Sequence, residues 1–459
     1  MLRSVDPATG DIVASYDAHS AAEVSRRLDR AAAAATDWAA TPLADRTDAL
    51  RRLARVLLRR KDALARTATR EMGKPLAQAV AEVEKCARVC RFYATHAPRG
   101  LRDTPARLDR RLHDDARAAV VLEPLGVLLA VMPWNFPYWQ LVRVLAPALA
   151  LGNVVVLKHA ANVTGCALAL EDAAREAGLP DGVFQTLLVG SDAVAGLIDD
   201  ARVAAVTLTG SEGAGRAVGE AAGRAIKPVV LELGGSDAFV VLKDADLDAT
   251  VEAAVRGRVQ NSGQSCIAAK RFVVEAPIAD AFTERLAAAF AALRVGDPMD
   301  PATEVGPLAR LDLRDELHRQ VTDSVAAGAR VVAGGQPLNG PGAFYAPTVL
   351  ADVGPGMAAF DEETFGPVAT VTVARDVDDA VRLANATRFG LGGSVWTRDV
   401  AAGEAVARRL RCGSAFVNAI VASDPAVPFG GVGVSGVGRE LGVEGLRSFA
   451  NVKTVWVAA

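Results

Sequence analysis

Gly126-Val-Leu-Leu-Ala-Val-Met132, Asn153-Val-Val-Val-Leu157, Phe184–Val189, Val203–Thr209 and Val229–Leu233 are short apolar runs, and helical stretches such as Ala167–Ala177 and Gly215–Arg224 separate several of them. Apolar runs of this length alternating with helices are the sequence form of a parallel sheet covered on both faces. From about Gly235 a second α/β series begins, with helices expected at Ala279–Leu293 and Leu311–Ala327 and a strand at Ala369–Ala374. Working outward, Ser20 to about Arg99 repeats apolar residues at helical spacing, with Leu50, Leu53, Val56 and Leu57 on one face. The first residues read as a hairpin turning at Asp6–Gly10, residues 108–123 as an extended hairpin around Asp114-Asp115, and Val452–Val457 as an isolated strand.

Composition narrows the function. At roughly 100–200 residues per domain, 459 residues argue for more than one domain. A balance of 51 basic against 54 acidic residues offers no general attraction to nucleic acid or anionic lipid, so neither is expected as a partner. The apolar stretches around Leu125–Trp134 and Val144–Leu151 are too short to span a bilayer. Five cysteines, an odd count without a secretory leader, fit a reducing cytoplasm rather than a disulfide framework.

Four features carry possible chemistry. Glu232 closes the apolar run Pro228-Val-Val-Leu-Glu-Leu-Gly-Gly235; it reads either as a carboxylate capped by backbone N–H groups or as a general base at a strand end, where ligand sites of α/β proteins cluster. Cys266, 34 residues on, ends Gln260-Asn-Ser-Gly-Gln-Ser-Cys266, a polar stretch unlike the apolar surroundings of Cys86, Cys90, Cys166 and Cys412. Amide donors and backbone freedom suit a nucleophilic thiolate and its oxyanion, whereas most free cysteines are small buried hydrophobes. Thr209-Gly-Ser-Glu-Gly-Ala-Gly215 is a strand-to-helix turn able to hold a phosphate, although its spacing is not Gly-x-Gly-x-x-Gly. Met132-Pro-Trp-Asn-Phe-Pro137 is a rigid loop or a packed aromatic corner.

With these residues in order, the whole chain resembles the aldehyde dehydrogenase superfamily. The motifs are Pro133-Trp-Asn-Phe-Pro137, Gly210-Ser211, Glu232-Leu-Gly-Gly235, Gly263-Gln-Ser-Cys266, Glu363-Thr-Phe-Gly-Pro367 and Pro428-Phe-Gly-Gly431. Lys158-His-Ala160, Ser262–Arg271 and Val452–Val457 make it most similar to the succinate-semialdehyde dehydrogenases of that superfamily. The resemblance implies an α/β fold with a Rossmann-type cofactor domain (residues 1–105 and 125–234), an α/β catalytic domain (235–430), and a small bridging sheet from 106–124 and 431–459 that joins subunits as a homodimer or homotetramer. It implies that Cys266 attacks an aldehyde, that Asn135 and the Cys266 N–H hold the oxyanion, and that Glu232 activates water to hydrolyse a thioester. It places Trp134, Gly210 and Ser211 near a dinucleotide pyrophosphate, Lys158 at the adenosine ribose, Glu363 at the nicotinamide ribose, and Phe365 beside it.

Ala161, three residues after Lys158, stands where NAD-preferring relatives commonly carry Glu, which favours NADP over NAD. Arg143, nine residues beyond Trp134, matches an Arg that the resemblance assigns to the distal carboxylate of succinate semialdehyde, with a structural ion pair as the lesser alternative. Ser423 is a further candidate donor to that carboxylate. Three positions depart from the pattern: Gln260 replaces a second Arg, and Gly433 and Val434 replace a Lys and a basic or polar residue. A coenzyme-A-acylating relative, a dehydrogenase of uncharged aldehydes, a cysteine hydrolase and a non-catalytic binding protein are the rival readings. Glu232 argues against the first, the absence of an evident His partner for Cys266 against the hydrolase, and the joint presence of Cys266, Glu232 and Asn135 against the last. No metal is expected, because no His/Cys/carboxylate cluster has ligand spacing.

Overall fold

In the computed structural model, which describes residues 1–109 and 115–458, the apolar runs are strands: Val127–Met132 and Val154–His159 are buried at every position. They belong to a six-stranded sheet in the order Gly436–Val437, Val229–Glu232, Val203–Thr209, Val127–Met132, Val154–His159, Phe184–Thr186. All neighbours are parallel except the first pair. From Val127–Met132 the chain runs outward through Val154–His159 to Phe184–Thr186, then returns to the other side as Val203–Thr209. The order therefore reverses between Val127–Met132 and Val203–Thr209, and the crevice beyond their carboxyl ends is where such sheets bind ligands. The loops leaving these two strands are Pro133–Pro137 and Gly210-Ser211.

A seven-stranded sheet holds Ala269–Glu275 at its centre, flanked by Val368–Ala374 and Asp237–Val241. In a third, three-stranded sheet, Ala450–Val457 pairs antiparallel with Arg117–Pro124 over eight residues, and Thr104–Pro105 adds on the far side. The terminal strand is thus not isolated. The Asp114 end of the expected hairpin lies outside the described residues. The strand expected over Phe184–Val189 stops at Thr186, because the Leu188 carbonyl accepts from the His19 N–H (2.7 Å).

Four helices fill the first hundred residues: Ala21–Ala40, Leu43–Arg59, Lys61–Met72 and Leu76–Gly100. Ser20 caps the first by accepting from the Glu23 N–H. The helix Trp139–Leu151 is buried along its whole length, so each polar group on it needs a partner inside the protein. Its amino end is capped by Glu82, which accepts from the Tyr138 and Trp139 N–H groups (2.8 and 2.9 Å) and pairs with the buried Lys74. Among the described residues no helix is long and apolar enough to cross a membrane.

The carboxyl-terminal segment divides its duties. Gly436–Val437 adds to the six-stranded sheet opposite Glu232 and Leu231, before the chain reaches the three-stranded sheet. Gly436 sits at φ +144°, and a Cβ there would overlap the Leu231 carbonyl oxygen. Gly436→Ala should therefore cost at least about 2 kcal/mol. Urea denaturation checks this; an unchanged midpoint would mean the segment has room to move.

Candidate active site

The loop that leads to Cys266 is built on strained backbone. After the helix Leu247–Val259, Asn261, Ser262 and Gly263 take positive φ values of 55°, 55° and 78° in succession. Such backbone costs of order 1–3 kcal/mol per non-Gly residue and needs external support. The Asn261 side-chain amide donates to the Asn135 carbonyl (2.7 Å) and the Gln264 carbonyl (3.1 Å). Arg258, fully buried, donates to the carbonyls of Gly263, Gly366 and Ala269. Lys270, also fully buried, donates to the carbonyls of Gly235 (2.6 Å), Ser265 (3.1 Å) and Cys266 (2.8 Å) and pairs with Glu363 (3.0 Å).

Two clefts meet at Cys266. One, about 370 Å³, is lined by Trp134, Asn135, Gly210, Ser211, Cys266, Glu363 and Phe365. The other, about 400 Å³, is lined by Lys85, Phe136, Trp139, Arg143, Gln260, Cys266, Ser423 and Phe429. Asn135 is buried; its side-chain amide donates to the Gln264 carbonyl (3.1 Å) and its Oδ1 has no partner. Burial pushes the Cys266 thiol up to about 12, with the charges of Glu363 and Glu232 adding and those of Arg143 and Lys270 opposing.

Glu232 is the last residue of its strand and is buried, and among the described residues neither carboxyl oxygen has a hydrogen-bond partner. Capping by backbone N–H groups, the alternative reading of its sequence, is not what the structure shows. Burial, then the charge of Glu440, raise its pKa well above the ordinary carboxylate range; Arg143 and Arg439 act against them.

In the first cleft, Ser211 caps the helix Glu212–Arg224 by accepting from the Ala214 N–H (3.3 Å), so helix-end N–H groups lie beside Gly210. Glu363 accepts from the Gly235 N–H (3.1 Å) and packs so closely on Gly234 that a Cβ there would overlap its carboxylate. Trp134 and Phe365 meet edge to face at 5.7 Å. Lys158 stands one residue from the end of Val154–His159, its pKa lowered by burial against the pull of Asp192; Ala161 opens the next turn. An anion-binding helix end, an aromatic wall and an anchored carboxylate fit the phosphates, nicotinamide and ribose of a dinucleotide.

In the second cleft, the structure corrects the charge bookkeeping of the sequence. Arg143 does not present a free guanidinium: it is ion-paired with the buried Glu440, donates to Thr209 Oγ1 (3.1 Å) and lies over the Phe429 ring. Gly433 is not among the residues lining this cleft and sits in a turn at φ +62° against the Arg388 carbonyl. Sequence reasoning missed Lys85, Arg258, Lys270 and Glu440; only Lys270, four residues after the candidate nucleophile, carried a local signal.

The chain belongs to the aldehyde dehydrogenase family, whose model matches residues 1–455. It is 51% identical over 457 residues to the NADP(+) succinate-semialdehyde dehydrogenase 1 of Mycobacterium tuberculosis, covering 100% of both chains. It is 49% identical over 453 residues to the NAD(P)+ succinate semialdehyde dehydrogenase of Escherichia coli, covering 99% of this chain and 97% of the relative. The crystal structure of succinic semialdehyde dehydrogenase from Streptococcus pyogenes in complex with NADP+ superposes with a TM-score of 0.97 at 35% identity, covering all of both chains.

Two measurements test the electrostatics. Arg143→Met leaves the Glu440 carboxyl buried alone and should cost about 3 kcal/mol. Adding Glu440→Gln should restore a substantial part of that loss in a double-mutant cycle; strict additivity would deny the pairing. Glu232 carries a raised folded pKa, so its folded-state penalty is absent below the unfolded carboxylate pKa and grows as pH rises toward the folded value. Glu232→Gln should therefore raise the melting temperature relative to wild type, with a larger gap at pH 8 than at pH 5.

Proposed function

We propose that the protein oxidises succinate semialdehyde to succinate with NADP, and with NAD less favourably. The observation that carries this reading is the meeting of two clefts at one thiol, a dinucleotide-shaped one and one with basic groups. The names of the relatives supply the particular aldehyde and cofactor. Ala161, in place of a carboxylate, leaves a 2′-phosphate unopposed, and Lys158 attracts it.

Cys266 forms the covalent bond to the aldehyde carbon. Its thiol proton must leave first, because a thiol held near 12 is almost wholly protonated at neutral pH. The oxyanion then developing is held by the Asn135 side-chain amide and the Cys266 N–H. Ser211, Trp134, Phe365 and Glu363, which line the first cleft, with Lys158 near the end of Val154–His159, would hold an oxidised dinucleotide, which would supply the hydride acceptor. Glu232, once ionised, takes a proton from water, which adds to the Cys266 thioester; the acid is released and the thiol regenerated. A carboxylate without hydrogen-bond partners is a strong base for its class, since nothing but distant charge stabilises its anion.

Residues 1–105 and 125–234 serve as the cofactor domain and 235–430 as the catalytic domain. The outer edge of Ala450–Val457, with Val452 and Trp456 exposed, joins subunits into a homo-oligomer. Five unpaired cysteines suit a cytoplasmic location.

A stopped-flow comparison tests the catalytic assignment. Wild type should reduce NADP with succinate semialdehyde, and Cys266→Ala should lose essentially all turnover. Glu232→Gln should give a burst of reduced cofactor followed by slow release of acid, because deacylation alone lacks its base. Loss of the burst as well would move Glu232 to thiol activation, and residual turnover in Cys266→Ala above a few per cent would remove Cys266 from the mechanism.

A further inference from the structure

Resting on the aldehyde-oxidising reading above, we infer that Lys85, held by Ser423, is the cation that binds the distal carboxylate of the substrate. Lys85 lies on the helix Leu76–Gly100 and lines the same cleft as Cys266. Its ammonium donates to Ser423 Oγ (2.7 Å) and stands 4.1 Å from the Trp139 ring centroid. Among the described residues it has no carboxylate partner, which is unusual for a half-buried ammonium.

The surrounding charges explain why. Glu82, one turn earlier, is committed to Lys74 and to the Tyr138 and Trp139 N–H groups. Arg143, from the neighbouring helix, is committed to Glu440. Gln260 brings an amide to the cleft, not a charge, and Asp424 lines it at an exposed position. Among the described residues, Lys85 and the exposed Arg88 are therefore the basic groups lining this cleft that no carboxylate pairs, and Lys85 is the more buried of the two. Burial, with the like charges of Arg143 and Arg88, pushes its pKa down to about 8, against the opposing influence of Cys86 and Glu82. An incoming carboxylate relieves this cost by supplying the missing counter-charge, and the Ser423 hydroxyl can donate to the same group.

The test compares succinate semialdehyde with butanal in wild type, Lys85→Met, Lys85→Arg and Ser423→Ala, with melting temperatures measured alongside. Lys85→Met should raise KM for succinate semialdehyde roughly 10- to 150-fold with a much smaller change in kcat, so that the preference over butanal collapses. Lys85→Arg should recover most of that preference, and Ser423→Ala should raise the same KM by less. In wild type this KM should climb as pH passes from 7 to 9 and Lys85 loses its charge, whereas Lys85→Arg should stay flat. Should Lys85→Met fail to fold, the wild-type and Lys85→Arg pH profiles decide. A preference that survives Lys85→Met, parallel losses on both aldehydes, or a wild-type KM independent of pH would overturn the inference while leaving succinate semialdehyde as substrate. A wild type with no preference for the carboxylated aldehyde would instead sink the substrate reading and this inference with it.

Discussion

The Lys270 ammonium gathers four oxygens: the carbonyls of Gly235, Ser265 and Cys266 and the carboxylate of Glu363. Taken out of water, it is tolerable only because these acceptors replace its hydration. The acceptors come from three separate stretches of chain. One joins the two large sheets, one carries the candidate nucleophile, and one supplies the carboxylate of the cofactor cleft. A single cation thus fixes where the covalent chemistry and the dinucleotide cleft stand relative to each other. Arg258 acts in the same way nearby, joining the carbonyls of Gly263 in the positive-φ loop, of Gly366 and of the strand residue Ala269.

Within that frame burial works against charge on the candidate reacting groups. Burial pushes both the Cys266 thiol and the Glu232 carboxyl up, and the charge of Glu232 adds to the rise at Cys266. A site of this kind holds little electrostatic strain between turnovers. Proton loss is then coupled to events that bring dipoles or charge into the clefts, where low dielectric makes each contribution larger than in water.

Five strands of the six-stranded sheet were legible as apolar runs, a pattern that needs no tertiary knowledge, whereas the two-residue Gly436–Val437 carries no such run. The sequence did not reveal that Phe184–Thr186 ends early, since the competing hydrogen bond comes from His19, far away in the chain. Cys266 and Glu232 stood out as residues at odds with their neighbours: a thiol in a polar stretch and a carboxylate in an apolar one. Lys85 and Glu440 lacked such contrast. A lysine at helical spacing looks like any solvated charge, and its partner Ser423 lies 338 positions downstream. Arg143 was legible as an arginine that mattered, but whether it faced a ligand or a protein carboxylate depended on a contact with Glu440, from the far end of the chain.

That contact between Arg143 and Glu440 also shapes how this chain can diverge. The two positions share one buried interaction, so drift at either leaves the other stranded, and viable lineages must change both within a short interval. Glu440 follows closely on the turn that packs against Glu232. Substitutions that retune the second cleft through Arg143 therefore carry an epistatic debt at the opposite end of the gene product. Lys85 shares no such buried partnership with another charge, which leaves it open to single-step change and makes it the easier route by which descendants acquire a different aldehyde.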